Sequence, residues 1–595
     1  MVRGPEESWE LLHRAEQLMM EGRVDEARPL IETLEKEGKL LADDRLTWQL
    51  LKSQLLITLG DFGTSLHLAK QVSKESQERD KPLQAIDAWL VIAEAHNRLN
   101  DHDESLNAII QGEKLLATLT GEPPAALSQR QASLIHRRGR ICIETGDFNQ
   151  ALEYFQQSLA LRQKLGNKHD IAVSLRNIGV AYFEKGDIAL GIEYHQQALK
   201  LFREVGNKYR IAWCLINIGG MSSNKGDMDQ ALEYSRQGLA LYQELDAKAQ
   251  IAYSLRIVGG IYHAKGDLER ALEHYLQALP IAEEQGYRWE NAGILNSIAV
   301  IYWNRGELEQ ALEFLRQGLA MAQEGGNKKI IAHSIGAIGL INWQKGELEQ
   351  AIVKLEEAMS FFEDIGDNFT KATYLYWLVS VALDKGPREQ AQGYLHRLQL
   401  INEQEENKLI SQYCRLAEAL VLKASPRIRD KVRAQELFQQ VAEEEIFVHI
   451  LTERAMVNLC ELLLDELKAY GEIAVLQEAK TLVHRLYTLA QDRHSFSLTI
   501  NALILQAKLS LIEGDLAAVT QLLEQARFTA DENKLELLAK KVSRERDHLE
   551  TQFETWRGLI QRNASFEERL KHARVADYLK DVEKLVSIET QAPSS

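Results

Sequence analysis

Proline is scarce in this chain, with 9 residues in 595, and cysteine is scarcer, with 4. Average proline usage is about 5%, and an interior proline breaks a helix, so its scarcity excludes collagen-like and loop-rich chains and favours helices. The cysteines, Cys142, Cys214, Cys414 and Cys460, lie 46 to 200 residues apart with no CxxC pair, which excludes a zinc knuckle or disulfide framework. They read as small buried apolar residues. No run approaches the roughly 18 apolar residues of a membrane span, and Met1 to Glu10 contains three acids and no apolar export segment. The chain reads as soluble and cytoplasmic. Positive charge is also short: Lys and Arg number 70 against 87 Asp and Glu, a net charge of −17. Such a chain repels phosphate backbones and anionic membranes unless its bases are gathered on one face.

What is present is a period. Gly146, Gly186, Gly226, Gly266, Gly306, Gly346 and Gly386 are each 40 residues apart, and self-similarity at fixed spacing marks a repeat architecture. Each sits in a common frame, such as Asn177-Ile178-Gly179-Val180-Ala181-Tyr182, then Gly186-Asp187, then Ile192-Glu193-Tyr194. The frame reads as two helices joined at the glycine. A base in the last turn of the first helix (Lys185, Lys225, Lys265, Arg305, Lys345, Lys385) suits its negative dipole end, and the glycine takes the left-handed position after it. Asp147, Asp187, Asp227 and Asp267 then cap the second helix, with Glu307 and Glu347 as weaker substitutes. A second set, Gly166, Gly206, Gly286, Gly326 and Gly366, ends the second helices. A helix-interior glycine costs about 1 kcal/mol relative to alanine, so Gly139, Gly179, Gly219, Gly259 and Gly339 imply close helix approach. So do the small residues Ala151, Gly191, Ala231, Ala271, Ala311, Ala351 and Ala391 on the other arm.

These residues resemble the tetratricopeptide repeat (TPR), with Gly179, Tyr182, Gly191 and Ala198 at that family's small, large, small and small consensus positions. The unit is longer than the usual 34 residues, and its Gly-Asn turns (Gly166-Asn167, Gly206-Asn207) make it similar to the repeats of Pins-type adaptors and kinesin light chain. The resemblance implies an all-α fold, a right-handed superhelical solenoid. Weaker punctuation at Gly22, Gly60 and Asn100, and near Asp430, Gly471 and Gly514, extends the array to about 13 hairpins. Residues 1–118 read as divergent hairpins, 119–127 with Pro123-Pro124 as an insertion loop, and 128–407 as the regular array. Residues 408–532 read as divergent hairpins again, and 533–595 as capping helices and a tail, with two long charged helices between Lys534 and Glu589.

The resemblance also places the first helix of each hairpin on an open concave side. Its exposed repeat positions hold His136, Arg137, Arg140, Arg176, Asn177, Asn217, Asn224, Arg256, His263, Asn296, Trp303, Asn304, Trp343, Tyr376 and Trp377, a set without Asp or Glu. A basic, amide-bearing and aromatic groove in an acidic protein points to an extended acidic peptide: amides hold its backbone, arginines its carboxylates, aromatics its apolar anchors. The carboxylate clamp of chaperone-type members is not expected, because Val180 and Gly220 stand where that clamp needs asparagine. HExxH, GxSxG and GxxxxGK[ST] are absent, and His169, His195, His263, His274 and His333 fall on different repeat positions, so neither an enzyme, a metal cluster nor a cofactor is expected.

The expected function is a scaffold or adaptor holding a linear, acidic peptide or a partner's helix in the groove. Two alternatives stand beside it. One is a ligand-sensing regulatory arm, as in some bacterial transcription activators and peptide-pheromone receptors; the other is an RNA-binding helical repeat, which the net charge opposes. Self-association through an uncapped end is compatible with each. Phe566 to Val586, with Leu570, Ala573, Val575, Leu579, Val582 and Leu585 at amphipathic spacing, is a candidate segment to mask the groove from within.

Overall fold

The computed structural model describes residues 5–573 apart from 22, 38, 39, 226, 287, 306, 366, 387, 405, 406, 445–448, 493–495, 533–535 and 552. Among the described residues the chain forms 29 α-helices and no strand. Local chemistry sets their ends. The carboxylates of Asp61, Asp101, Asp147, Asp187, Asp227 and Asp267 each accept from the backbone N–H three residues on, at 3.0–3.4 Å. Glu307 makes no such bond, as expected of a longer side chain at a cap. The 40-residue glycines within the described residues all have positive φ, from +77° at Gly266 to +119° at Gly386; Gly226 and Gly306 lie outside them. Asp246 fills a place the second glycine set leaves vacant, at φ +50°, a conformation that aspartate tolerates.

The helices pair as 13 hairpins. The first three are α1–α2 (Pro5–Glu21, Val24–Glu37), α3–α4 (Ala42–Leu59, Phe62–Glu78) and α5–α6 (Pro82–Arg98, His102–Thr118). The next four are α7–α8 (Pro124–Glu144, Phe148–Leu165), α9–α10 (Lys168–Glu184, Ile188–Val205), α11–α12 (Lys208–Lys225, Met228–Glu244) and α13–α14 (Lys248–Ala264, Leu268–Gln285). Then come α15–α16 (Arg288–Asn304, Leu308–Gly325), α17–α18 (Lys328–Lys345, Leu348–Ile365) and α19–α20 (Asn368–Lys385, Arg388–Gln404). The last three are α21–α22 (Lys408–Lys423, Ile428–Glu443), α23–α24 (His449–Tyr470, Ile473–Asp492) and α25–α26 (Phe496–Glu513, Leu516–Glu532). Three shorter helices, α27 (Glu536–Thr551), α28 (Phe553–Gln561) and α29 (Phe566–Ala573), follow where the sequence predicts two long ones. Between α6 and α7 only residues 119–123 leave helix, because Pro124 starts α7, a position where proline's missing N–H costs nothing.

Within a hairpin, the small residues bring the two helices into contact. A Cβ on Gly139 would stand 2.7 Å from the Phe155 ring, on Gly179 2.4 Å from His195 and on Gly259 2.6 Å from the Tyr275 ring, each partner being 16 residues on. Between hairpins, the bases of the last turn do more than meet a helix dipole. Lys265 reaches Asp229 at 3.2 Å, Arg305 reaches Glu269 at 2.7 Å and Lys345 reaches Glu309 at 3.0 Å, always 36 residues back.

Successive odd-numbered helices touch along the array, as α3 with α5, α5 with α7, α11 with α13 and α19 with α21, whereas among the described residues no two successive even-numbered helices meet as extensively. A stack crowded on one side and splayed on the other must curve, so the odd helices form the inner wall. The curvature brings successive superhelical turns together. Trp289 lies beside Gly60, Leu99 beside Gly326, Leu409 beside Gly186 and the Asn368 backbone beside Gly146, with nearest atoms 3.2–3.6 Å from where a Cβ would stand. These pairs are 222 to 229 residues apart, or about 5.6 hairpins of 40 residues per turn. The core is continuous from Ala292 to Leu559 and divides into smaller clusters before that.

Candidate functional site

The inner wall is narrower than an open concave face. At about 10 Å per hairpin, about 5.6 hairpins set the inner helix axes roughly 9 Å from the superhelix axis, and a helix radius of ~5 Å leaves a bore only a few ångströms in radius. Each inner helix offers the bore one stripe. On α11 the stripe is Arg210, Trp213, Asn217, Gly220 and Asn224, at alternating spacings of three and four, all at least partly exposed while Ala212, Cys214, Leu215, Ile216 and Ile218 are buried. That spacing keeps one helix face turned to one direction. Arg137, Arg140 and Glu144 are the corresponding stripe of α7, and Asn177, Val180 and Glu184 that of α9, with Arg176 one residue to its side at the position of Ile216.

Many of the sequence-predicted groove residues join one hairpin to the next. His136 Nε2 meets Asn177 Nδ2 at 2.7 Å, His263 meets Asn304, Trp303 Nε1 donates to Gln344, and Trp343 Nε1 donates to Asp384 at 2.8 Å, each pair 41 residues apart. Burial pushes the His136 imidazole well down, as do Arg162 and Arg137, and burial alone pushes His263 down to about 4. Both rings are therefore neutral and accept from the amides. Asn296 bonds Ser334 at 2.9 Å. Tyr376 and Trp377 are 1% exposed and pack under Arg454, whose guanidinium carbon is 4.9 and 4.4 Å from their ring centres. Arg256 is buried and donates to buried Glu290 at 2.8 Å. Asn217 donates to the Trp213 carbonyl at 2.9 Å, and Asn224 is exposed.

The expectation of a wall without carboxylates is corrected. Glu94, Glu144, Glu184, Glu290 and Asp384 all stand on inner helices, and Glu144 and Glu184 share the repeat position of Asn224 and Asn304. Arg137 pairs with Glu94, which also accepts from Arg98 at 3.0 Å. The acids are not spread evenly, however. Arg140, Arg176 and Arg210, from α7, α9 and α11, have no carboxylate within 4.0 Å, although Arg176 donates to Asn177. The Arg176 guanidinium carbon lies 4.2 Å and that of Arg210 4.9 Å from the centre of the Trp213 ring. Burial, then the charges of Arg210 and Arg140, push Arg176 down to about 9, so it stays cationic at neutral pH. Arg210 and Trp213 are absent from the sequence-predicted set; the stripe that contains Asn217 and Asn224 reaches both when followed two turns upstream.

Among the described residues no group of three or more His, Cys, Asp or Glu is placed to hold a metal, and no helix is long and apolar enough to cross a membrane. Helix α29 lies against α23 and α25 at the far end of the array, where Arg569 donates to the Ile512 carbonyl at 3.1 Å. Residues 574–586 of the candidate masking segment lie outside the described residues.

The family model of MalT-like TPR regions matches residues 178–364 and 219–532, and a tetratricopeptide-repeat model matches residues 130–204. No curated protein matches the chain. Similar solved structures include a Rap protein complexed with competence and sporulation factor, 16% identical over 69% of this chain and 100% of that one, with a TM-score of 0.45. NprR in complex with its cognate peptide NprX is 18% identical over 60% of this chain and 98% of that one, with a TM-score of 0.42. TPR-like repeats of a putative kinesin light chain from Podospora anserina are 19% identical over 33% and 96%, with a TM-score of 0.28.

Proposed function

We propose that this chain, which belongs to the MalT-like TPR region family, is a non-enzymatic, cytoplasmic interaction module that holds an extended acidic peptide segment of a partner along the inner wall of its superhelix. The observation that carries this reading is a pair of guanidinium charges with no acid beside them, Arg176 and Arg210, near open space at Gly220, in a chain of net charge −17. Guanidinium edges recognise carboxylates and phosphates in the plane of the fork.

The test is fluorescence anisotropy with dye-labelled ten-residue peptides, acidic, neutral and basic in otherwise equal composition. Acidic peptides should bind best, with affinity falling as salt rises. Gly220→Leu should abolish binding while leaving the far-ultraviolet circular dichroism unchanged, because a Cβ there meets no atom within 4 Å. Preference for the basic peptide, or full binding by Gly220→Leu, would overturn the reading.

A second reading, a ligand-sensing arm, is favoured by the contacts between superhelical turns, since a guest in so narrow a bore pushes on them. It requires the radius of gyration to change when the acidic peptide is added; an unchanged scattering curve at saturation rejects it.

A further inference from the structure

Six arginines of the inner wall divide into two kinds. Arg98 and Arg137 share Glu94, and Arg256 has Glu290. Arg140 stands in the field of Glu94 and Glu144, whereas Arg176 and Arg210, from the consecutive inner helices α9 and α11, have no acid beside them. Two like charges held against one indole repel one another.

The geometry around Trp213 shows how the charges are held. Arg176 and Arg210 both stack on its indole, at 4.2 and 4.9 Å. Stacking occupies the flat faces of the guanidinium groups and leaves their N–H edges for an acceptor in the plane. The Arg210 Nε–H is buried and makes no hydrogen bond within the protein, an unfavourable state for a polar group. Gly220, two turns along the same stripe, keeps the adjoining space open.

We propose that Arg176 and Arg210, framed by Trp213, form a subsite for a doubly charged oxyanion on the bound peptide, either one phosphoryl group or two neighbouring carboxylates. The inference rests on the reading of the inner wall as a peptide site and adds the chemistry of one position in it. Charge arithmetic favours a dianion over a single carboxylate, because one negative charge leaves one of the two guanidinium charges unmatched. A phosphoryl group carries about −1.5 to −2 at neutral pH and three acceptor oxygens, which matches the two guanidinium charges. The depressed Arg176, held down by burial and by its two cationic neighbours, is the state such an anion relieves.

Three dye-labelled decapeptides that differ only at two central residues, Ser-Ser, phosphoSer-Ser and Asp-Asp, test this by anisotropy with the full chain. At least one dianionic peptide should bind about tenfold or more tighter than Ser-Ser, and the tighter of the two identifies the source of the charge. Arg176→Gln and Arg210→Gln should each remove most of that advantage, weakening the dianionic peptides several-fold more than Ser-Ser. Arg176→Lys, which keeps the charge but loses the fork, should restore part of it. Melting curves of the variants must match the parent, so that loss of fold is not read as loss of the site. Equal binding of all three peptides, or a dianion preference untouched by Arg176→Gln and Arg210→Gln, overturns the subsite and leaves the peptide groove standing. Binding of none of the three by the unaltered chain overturns both.

Discussion

At the scale of single residues, the question the inner wall poses is which charges have partners, and the sequence is silent on it because each partner lies one hairpin away. Arg256 and Arg176 occupy the same repeat frame and read alike. Yet Arg256 is 7% exposed and bonded to Glu290, while Arg176 lies on an indole with no acid near. Burial pulls the Arg256 guanidinium down, but Glu290 and Tyr253 outweigh it and hold it above its ordinary value. Removing one member of a buried pair strands the other charge, at about 3–5 kcal/mol. Arg256→Met should therefore lower the urea midpoint markedly, and the double change Arg256→Met, Glu290→Leu should recover most of the loss, since apolar replacement of a whole buried pair is often neutral. Affinity for the acidic peptides, measured below the transition, should not change in the double variant. A double variant as unstable as the single one, or one that loses peptide binding, would return Arg256 to the ligand site.

At the scale of helices and hairpins, most of the fold was legible because its determinants are local: glycine at positive φ and aspartate reaching three residues ahead are chemistry within one turn of chain. The 36-residue ion pairs and the 41-residue bridges escaped because they depend on how one hairpin is laid on another. Two glycines of neighbouring inner helices make the distinction measurable. Gly259 packs under Tyr275, where a Cβ would stand 2.6 Å from the ring, whereas Gly220 faces the bore. Gly259→Ala should destabilise by about 1–3 kcal/mol through overpacking. Gly220→Ala should stabilise by about 0.5–1 kcal/mol, because alanine loses less backbone freedom in a helix. Opposite signs in chemical denaturation are expected; a stabilising Gly259→Ala would mean the two helices of that hairpin do not meet as described.

At the scale of the whole molecule, the turn-to-turn contact carries its own charge cluster, in which Lys329 of α17 and Asp367 ahead of α19 face Glu144 of α7 and Glu184 of α9. Lys329 Nζ is 3.9 Å from Asp367. Burial lowers the ammonium, but Asp367, Glu144 and Glu184 outweigh it and hold it above the ordinary lysine value. Glu144 is raised by burial, but Lys329, Arg140, Arg98 and His102 outweigh that and keep it ionised. Glu184 goes the other way: burial first, with Asp367 and Glu144 against the pull of Lys329, lifts it to about 7. An unfolded glutamate titrates near about 4.3, so the native state binds the extra proton, and the stability tied to Glu184 is complete below that pH and lost as pH rises toward about 7. Above it, three carboxylates face one lysine across the seam. Small-angle scattering from pH 6 to pH 8 should show the superhelix lengthening, and Glu184→Gln, which holds the neutral form, should stay compact across the range. Lys329→Met should be extended even at pH 6, because it removes the cation that holds the two turns. A scattering profile that does not change with pH, or one that changes equally in Glu184→Gln, would show that packing at Gly146, Gly186 and Gly326 closes the seam without help from charge.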